Sequence, residues 1–422
     1  MTRSAWALVC AAVLASPLPA SSVTDIASVA TNGVRGNADV LGSGVSGDGH
    51  FIAFDSEATT LVPGDTNGVV DAFVRDRTAG VTERVSVGAG GAQGNGPSSG
   101  PSIGPDGRFV TFISEASNLV PGDTNGVRDC FLHDRLSGAT TRVSVGTGGV
   151  EGNGRCENVH ASADASLVVF TSLASNLVPG DANALADVFV HDRSAGTTTR
   201  VNVTPGGIEA NAYAYYAKIS GDGQTVAFSS PASNLIPGDA GWHDVFAYDR
   251  PTDTLSRVSV ASGGAAANGD SFLGALSFDG RWILFSSAGT NLPPPGSTPS
   301  GFGVFHAYLH DRLTVATTTI DVDAGGIARG YSYGVDMSPD ARFVAFWSFG
   351  VLEPADTNNN SDVYVRDLTL GTMPAAASGP SARRRRHISG REGCRMMATS
   401  SRSTRPRPCS SPSTPTAPRT YS

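Results

Sequence analysis

The string LVPGDTNG occurs at positions 61–68 and again at 119–126, and degenerate copies follow at 177–184 (LVPGDANA) and 235–240 (LIPGDA). Their aspartates, Asp65, Asp123, Asp181 and Asp239, stand 58 residues apart each time, and a weaker copy, EPADTNNN, centres on Asp356. Two more landmarks keep step. A turn signal precedes an apolar run at Asp48, Asp106, Asp164, Asp222, Asp279 and Asp340. A second run closes on Asp76, Asp134, Asp192, Asp249, Asp311 and Asp367. A chain written this way is an array of one unit. Its fold must bury each copy against the next.

The second copy shows what the unit is. A short first strand at 101–104 meets Pro105-Asp106-Gly107, where Asp caps its own backbone and Gly accepts positive φ. Residues 108–114 (RFVTFIS) alternate, with Phe109, Thr111 and Ile113 on one face. A long loop (115–128) leads to a third strand at 129–135 (DCFLHDR), a tight turn at Ser137-Gly138, and a fourth strand at 140–145 (TTRVSV). A Gly-rich loop then leads to the next unit. Six such repeats are readable. Four antiparallel strands per unit, repeated six times or more, predict an all-β chain folded as a β-propeller, whose ring leaves only short sheet edges. Composition agrees: 51 Gly and 25 Pro punctuate the chain, and 16% charged residues fall below the ~25% of ordinary soluble domains, which excludes a coiled coil. No apolar run reaches 18 residues, which excludes a polytopic membrane protein.

The succession DGR-hydrophobic-x-F-x-S, DVFVxDR and TxRVSV resembles the TolB-like, WD-like propeller repeats of exported bacterial proteins, over about residues 22–369. The resemblance implies a binding or scaffolding module. The loop between strands two and three is longer here than in the common short repeat. Export fits the N-terminus: Arg3, an apolar run from Ala5 to Ala15, and Pro17-Leu18-Pro19-Ala20 read as a signal peptide over 1–20, with the propeller over 21–370 and no transmembrane anchor. A secreted or periplasmic location follows. Residues 25–37 match the end of a fourth strand and its following loop, as at 84–95, so the mature chain is expected to start with the last strand of a blade, latching the ring by pairing with the final one.

The segment 371–422 breaks the pattern. It carries ten Arg and one Glu of a chain whose net charge is −8, leaving a body with 20 basic and 37 acidic residues. The acidic body argues against a nucleic-acid partner. The tail as written is expected to be disordered, and it reads as a further repeat translated out of frame. In the frame that starts on each third codon base, Met396-Met397-Ala398 forces Asp-Gly, because Met has a single codon. Seventeen codons on, 413–417 permits Asp-Thr-Asn-Gly, the spacing of Asp48 from Asp65. The codons between permit HFIAFDS, and the last three permit Asp-Val-Phe. A few positions fail, including the Gly of PGD. The shift falls between Asp367 and Met396.

Candidate ligands for a hard cation lie in the loops D-x-N-G-x-x-D: Asp65, Asn67 and Asp71; Asp123, Asn125 and Asp129; Asp181, Asn183 and Asp187; Asp356, Asn358 and Asp362. Alternating carboxylates and amides can supply the oxygens Ca²⁺ requires, although the distal Glu of an EF-hand is missing. The same residues also make Asx-turns, and both readings stand. The fourth copy loses the Asn and the fifth loses the loop, so no metal is needed at every blade.

The Asp of the D-R pair is expected to cap the turn between strands three and four, or to pair with Arg84, Arg142, Arg200 or Arg257 on the neighbouring strand. His133, His191 and His310 read as solvent-facing strand positions, not a zinc set. Gly100–Gly104 matches G-x-S-x-G but lies on a strand without the elbow and helix that motif needs. Cys130 stands where Ala72 and Val188 stand elsewhere, which reads as a buried thiol; spacing does not establish a pair with Cys156. One lysine, Lys218, accompanies 29 arginines.

Tyr213, Tyr215, Tyr216, Trp242, His243, Tyr331 and Tyr333 vary the rim that carries the long loops. They either form a binding surface or pack over blade edges. The expected function is an exported, non-enzymatic propeller that recognises a protein or glycan through this rim. A Ca²⁺-binding surface module and a propeller hydrolase or lyase are the alternatives; the latter needs carboxylates and His that break the repeat, gathered in the central channel.

Overall fold

Each repeat closes on itself as an antiparallel meander, and the sheets stand side by side as the blades of a ring. The computed structural model describes residues 26–292, 304–328, 331–353, 356 and 360–369. Blades 1 to 6 span 40–84, 98–142, 156–200, 215–257, 271–319 and 332–367. The first five have four strands in sequence order and the sixth has three among the described residues. The strands of blade 2, for example, run Ser98–Ile103, Phe109–Ser114, Asp129–Asp134 and Ala139–Arg142. Asn358, the signal segment and the tail lie outside the described residues, as does the expected pairing of the N-terminal strand with the last blade.

Both sheet faces are buried, so the second strands carry apolar residues on each side. In blade 2, Phe112 and Phe131 stack at 5.8 Å and pack back onto Ala53, Ala72 and Val74 of blade 1. Phe109, Ile113 and Leu132 point forward to Val159, Val168 and Phe170 of blade 3. The ring pair recurs in every blade, at 5.5–5.8 Å, ending with Phe346 and Tyr364. Each such pair adds about 0.5–1.5 kcal/mol beyond its burial. Gly107 turns between strands one and two at φ +73°, and a Cβ there would lie 2.1 Å from the Phe51 ring of blade 1.

Cys130 is not a free thiol. It is disulfide-bonded to Cys156, with Cα atoms 5.7 Å apart. The third strand of one blade faces the first strand of the next, so residues 26 apart in sequence meet across the blade boundary.

The three strand histidines are buried, not solvent-facing. His133 Nδ1 meets Thr140 Oγ1 at 2.9 Å, and His191 and His310 repeat the contact with Thr198 and Thr317. Each hydroxyl already donates to a carbonyl of the loop entering its blade: Thr198 to Val145 and Thr317 to Val260 at 2.6 Å. The imidazole Nδ1 must therefore be the donor to the hydroxyl. Burial lowers the pKa of all three, that of His310 to about 4. The same loop accepts or donates along the strand edge: Thr198 N–H donates to Thr147 Oγ1 at 3.0 Å and Thr317 N–H to Ser262 Oγ at 2.9 Å. The segment before blade 1 does the same, with Thr31 Oγ1 accepting from Thr82 N–H at 3.1 Å.

Candidate functional site

Each long loop packs between the loops that enter and leave its own blade, so all three lie on one rim. Asn118 Nδ2 donates to Gln93 O at 2.8 Å, and Asn95 Nδ2 to Ser117 Oγ at 3.0 Å. The D-x-N-G-x-x-D residues converge beneath this seam. Asn125 Nδ2 bridges Asp129 Oδ2 and Gly152 O at 3.0 Å each, and its Oδ1 accepts the Val127 N–H as an Asx-turn. Asn67 and Asn183 repeat the bridge in blades 1 and 3.

The cation facing these carboxylates is a guanidinium. Arg142 Nη1 lies 3.6 Å from Asp123, 3.3 Å from Asp129 and 2.5 Å from Glu151. Arg200 stands 3.3, 3.3 and 2.5 Å from Asp181, Asp187 and Glu209. Arg84 serves Asp65 and Asp71, and Arg257 serves Asp239 and Asp244 even without the Asn. These arginines therefore do not pair with the D-R aspartates. Those aspartates cap the turn, as Asp76 does for the Thr78 and Ala79 N–H groups. Asp134, Asp311 and Asp367 also take the arginine that opens the second strand, Arg108, Arg281 and Arg342. Glu151 and Glu209 were not among the expected residues; their place after the Gly-Gly of the blade-linking loop was the available signal.

One cation among three carboxylates splits their proton affinities. Burial, reinforced by the Asp187 charge, pushes Asp181 up to about 6. Burial also raises Asp65, Asp123 and Asp187. Burial opposes ionisation of Glu151 too, but the Thr124 N–H and hydroxyl and the Arg142 guanidinium outweigh it and hold it at about 2. Blade 5 abandons the cluster. His306 replaces the aspartate, Asp321 the facing serine and Thr319 the arginine, leaving a buried His306–Asp321 pair at 2.8 Å. Of the fourth set, Asp356 accepts the Tyr364 hydroxyl at 3.0 Å, and Asp362 opens the third strand of blade 6.

The rim aromatics join into one arc over blades 4 to 6. Tyr213, Tyr215 and Tyr216 follow one another at 5.4 and 4.9 Å. Tyr215 and His243 both reach Phe272, at 6.3 and 5.4 Å. Phe272 meets Phe305 at 5.5 Å, Phe305 stacks on Tyr333 at 5.1 Å, and Tyr333 on Trp347 at 4.9 Å. Phe349 ends the arc, 55% exposed. Trp242 and Tyr331 are exposed beside it. Phe272, Phe305, Trp347 and Phe349 escaped the sequence reading. Aligning the repeats would have found the first, because Tyr215, Phe272 and Tyr333 take the place that Ser99 and Glu157 hold in blades 2 and 3.

No family model and no curated protein matches the chain. Solved β-propellers do. TolB from Acinetobacter baumannii shares 15% identity at a TM-score of 0.37, over 66% of this chain and 53% of that one. The chain thus spans about half the length of that protein. A putative TolB from Agrobacterium tumefaciens gives 16% and 0.40, over 67% and 80%. The β-propeller domain of the Trilobed protease from Pyrococcus furiosus gives 11% and 0.47, over 80% and 84%. The likeness is one of fold.

Proposed function

We propose that this chain is an exported, non-enzymatic binding module that recognises a protein or a glycan through the loop rim of blades 4 to 6. The aromatic arc carries the reading. It is absent from the matching positions of blades 2 and 3, so the repeat does not require it, and aromatic rings with one face open are the side chains on which binding energy concentrates. Rings of this size also stack on sugars and on peptide side chains without a large entropic cost. Trp347 lies inside the arc and reports on it by fluorescence. Titration with soluble polysaccharides and with peptides is expected to give a saturable change for one class, weakened at least tenfold by Tyr333→Ala. A ligand whose affinity is unchanged by both Tyr333→Ala and Phe349→Ala would sink the rim reading.

A Ca²⁺-stabilised surface module is the second reading. Its support is the charge count: one guanidinium faces three carboxylates at Asp123, Asp129 and Glu151, and again at Asp181, Asp187 and Glu209, with the acidic oxygens of each set within 4.8 Å of one another. Melting in Ca²⁺ and in chelator tests it, since a ligand of the folded state alone raises the melting temperature.

A further inference from the structure

The innermost strands carry a second non-repeating set. Gly44, Ser102, His160, Lys218, Ala275 and Asp336 occupy one register position of the first strand in blades 1 to 6. The members on blades 1 to 3 meet around the axis: a Cβ on Gly44 would lie 3.9 Å from Ser102 Cα, and His160 Nδ1 lies 3.0 Å from Ser102 Oγ. Lys218 follows at the same register position in blade 4, and Asp336 holds that position in blade 6. A cavity of about 560 Å³ opens there, toward the end of the ring opposite the aromatic rim, lined by Ser102 and Asp336 and by Ile103, Ala161, Ile219 and Met337. That volume suits a small organic ligand.

Lys218 is the chain's single lysine. Its side chain is half-buried, burial lowers its pKa and the Asp336 charge opposes that shift. Among the described residues its ammonium has no hydrogen-bond or ion-pair partner, and Asp336 is engaged by the Met337 N–H at 2.9 Å. A half-buried ammonium without a protein partner, at the register position whose other members Ser102 and Asp336 line the cavity, is available to a carboxylate from solution. Acyl transfer by Ser102 and His160 is not favoured: burial and then the Lys218 charge hold His160 at about 3, too low to take a proton at neutral pH.

We propose that the channel binds a small zwitterion, an amino acid or short peptide, with its carboxylate on the Lys218 ammonium and its own ammonium toward Asp336. The site is independent of the rim reading and lies on blades 2 to 6.

Reductive methylation with ¹³C-formaldehyde keeps the lysine charge and labels only Lys218 and the α-amine. Titrating the full chain with triglycine, glycine and acetate at constant ionic strength is expected to shift the Lys218 resonance saturably with triglycine or glycine. Acetate should bind at least tenfold more weakly, and Asp336→Asn should bring the zwitterions down to the acetate level. Equal binding of acetate, or no saturable shift by either zwitterion, overturns the proposal. So does a Lys218 that methylates only in urea, because the channel then admits no small solute. If Asp336→Asn fails to fold, the comparison of triglycine with acetate on the unaltered chain still decides.

A second inference rests on a different face. Among the described residues nothing covers the forward face of blade 6: Val363 and Val365 are 64% and 38% exposed, whereas their counterparts Ala307 and Leu309 in blade 5 are 0% and 3% exposed. The geometry points to a seventh copy of the repeat as the occupant, encoded by the shifted frame of 371–422. Resequencing the gene and expressing the frame-restored product are expected to give a protein destabilised by Val363→Arg, while the chain as written tolerates that change. An alternative frame interrupted by stops within 371–396 refutes this. So does dimerisation of the sequence-confirmed chain through this face, which would make a second copy the occupant.

Discussion

Replacing Arg200 by Met tests what holds the rim clusters together. The guanidinium is 8% exposed and stands within 3.3 Å of Asp181, Asp187 and Glu209, whose side chains are 3%, 0% and 24% exposed. Methionine keeps the apolar stem and removes the charge. Deleting one partner of a buried ion pair costs about 3–5 kcal/mol, and here three carboxylates lose their counter-charge together, so the upper half of that range applies. Unfolding entropy of about 2.1 cal/mol/K per residue over roughly 340 described and intervening residues makes 4 kcal/mol worth about 6 °C of melting temperature, if the ring melts as one unit. Two rescues should work. Asp181 already titrates at about 6, and its proton should be held still more tightly in the variant, so the deficit should shrink between pH 7 and pH 5. Ca²⁺ at 100 times its dissociation constant would return about 2.7 kcal/mol. Thermal melts of both proteins at the two pH values, with Ca²⁺ and with chelator, supply the readout. A variant melting within about 1 °C of the parent at pH 7, where some 6 °C is expected, would refute the guanidinium as the clamp. Equal stabilisation of parent and variant by Ca²⁺ would instead place a metal beside the arginine.

The disulfide between Cys130 and Cys156 closes a loop across the blade 2–3 boundary. Reduction, or paired Cys→Ser substitution, should cost about 2–4 kcal/mol in urea titrations; no change would mean that the bond contributes nothing to the folded state. Asp244 makes a pH prediction. Burial raises it from 3.8 to about 6 against the Ser259 and Arg257 contacts. A carboxyl raised in the folded state favours folding below its ordinary value, and that contribution is lost as pH rises through about 6. The parent should therefore lose up to roughly 3 kcal/mol relative to Asp244→Asn between pH 4 and pH 7, and parallel stability curves would contradict the assignment.

The architecture was legible because the repeat carries it: the Asp-Gly turns, the alternating strands and the 58-residue step each follow from backbone and burial rules that act locally. What stayed hidden depends on neighbours beyond the local strand and turn. His133 looks polar and outward on its own strand, yet the blade-linking loop covers it and its partner Thr140 comes from the next strand. Arg142 and Asp134 sit across a turn, so pairing them is the local guess; the strand twist instead carries Arg142 to the rim and gives Asp134 to Arg108. Cys130 and Cys156 belong to different repeats, and only the way one sheet faces the next joins them. The aromatic arc was half visible, since its tyrosines interrupt the pattern while Phe272 and Phe305 pass as strand residues. Lys218 could be counted from the sequence, but its place on the axis could not.

The loop that enters each blade also governs how the molecule meets other chains. The outermost strand of a blade presents free N–H groups, which serve as a template for strand addition by a stranger. Here the Thr or Ser hydroxyls of the preceding loop occupy that edge, through Thr31 on blade 1, Thr147 on blade 3 and Ser262 on blade 5. Protection of this kind guards blades 1, 3 and 5, whereas Ala89, Pro205 and Ala324 take the hydroxyl's place ahead of blades 2, 4 and 6. The short segment ahead of blade 1 is therefore a safeguard against aggregation, doing for that outer edge what a blade-linking loop does for blades 3 and 5.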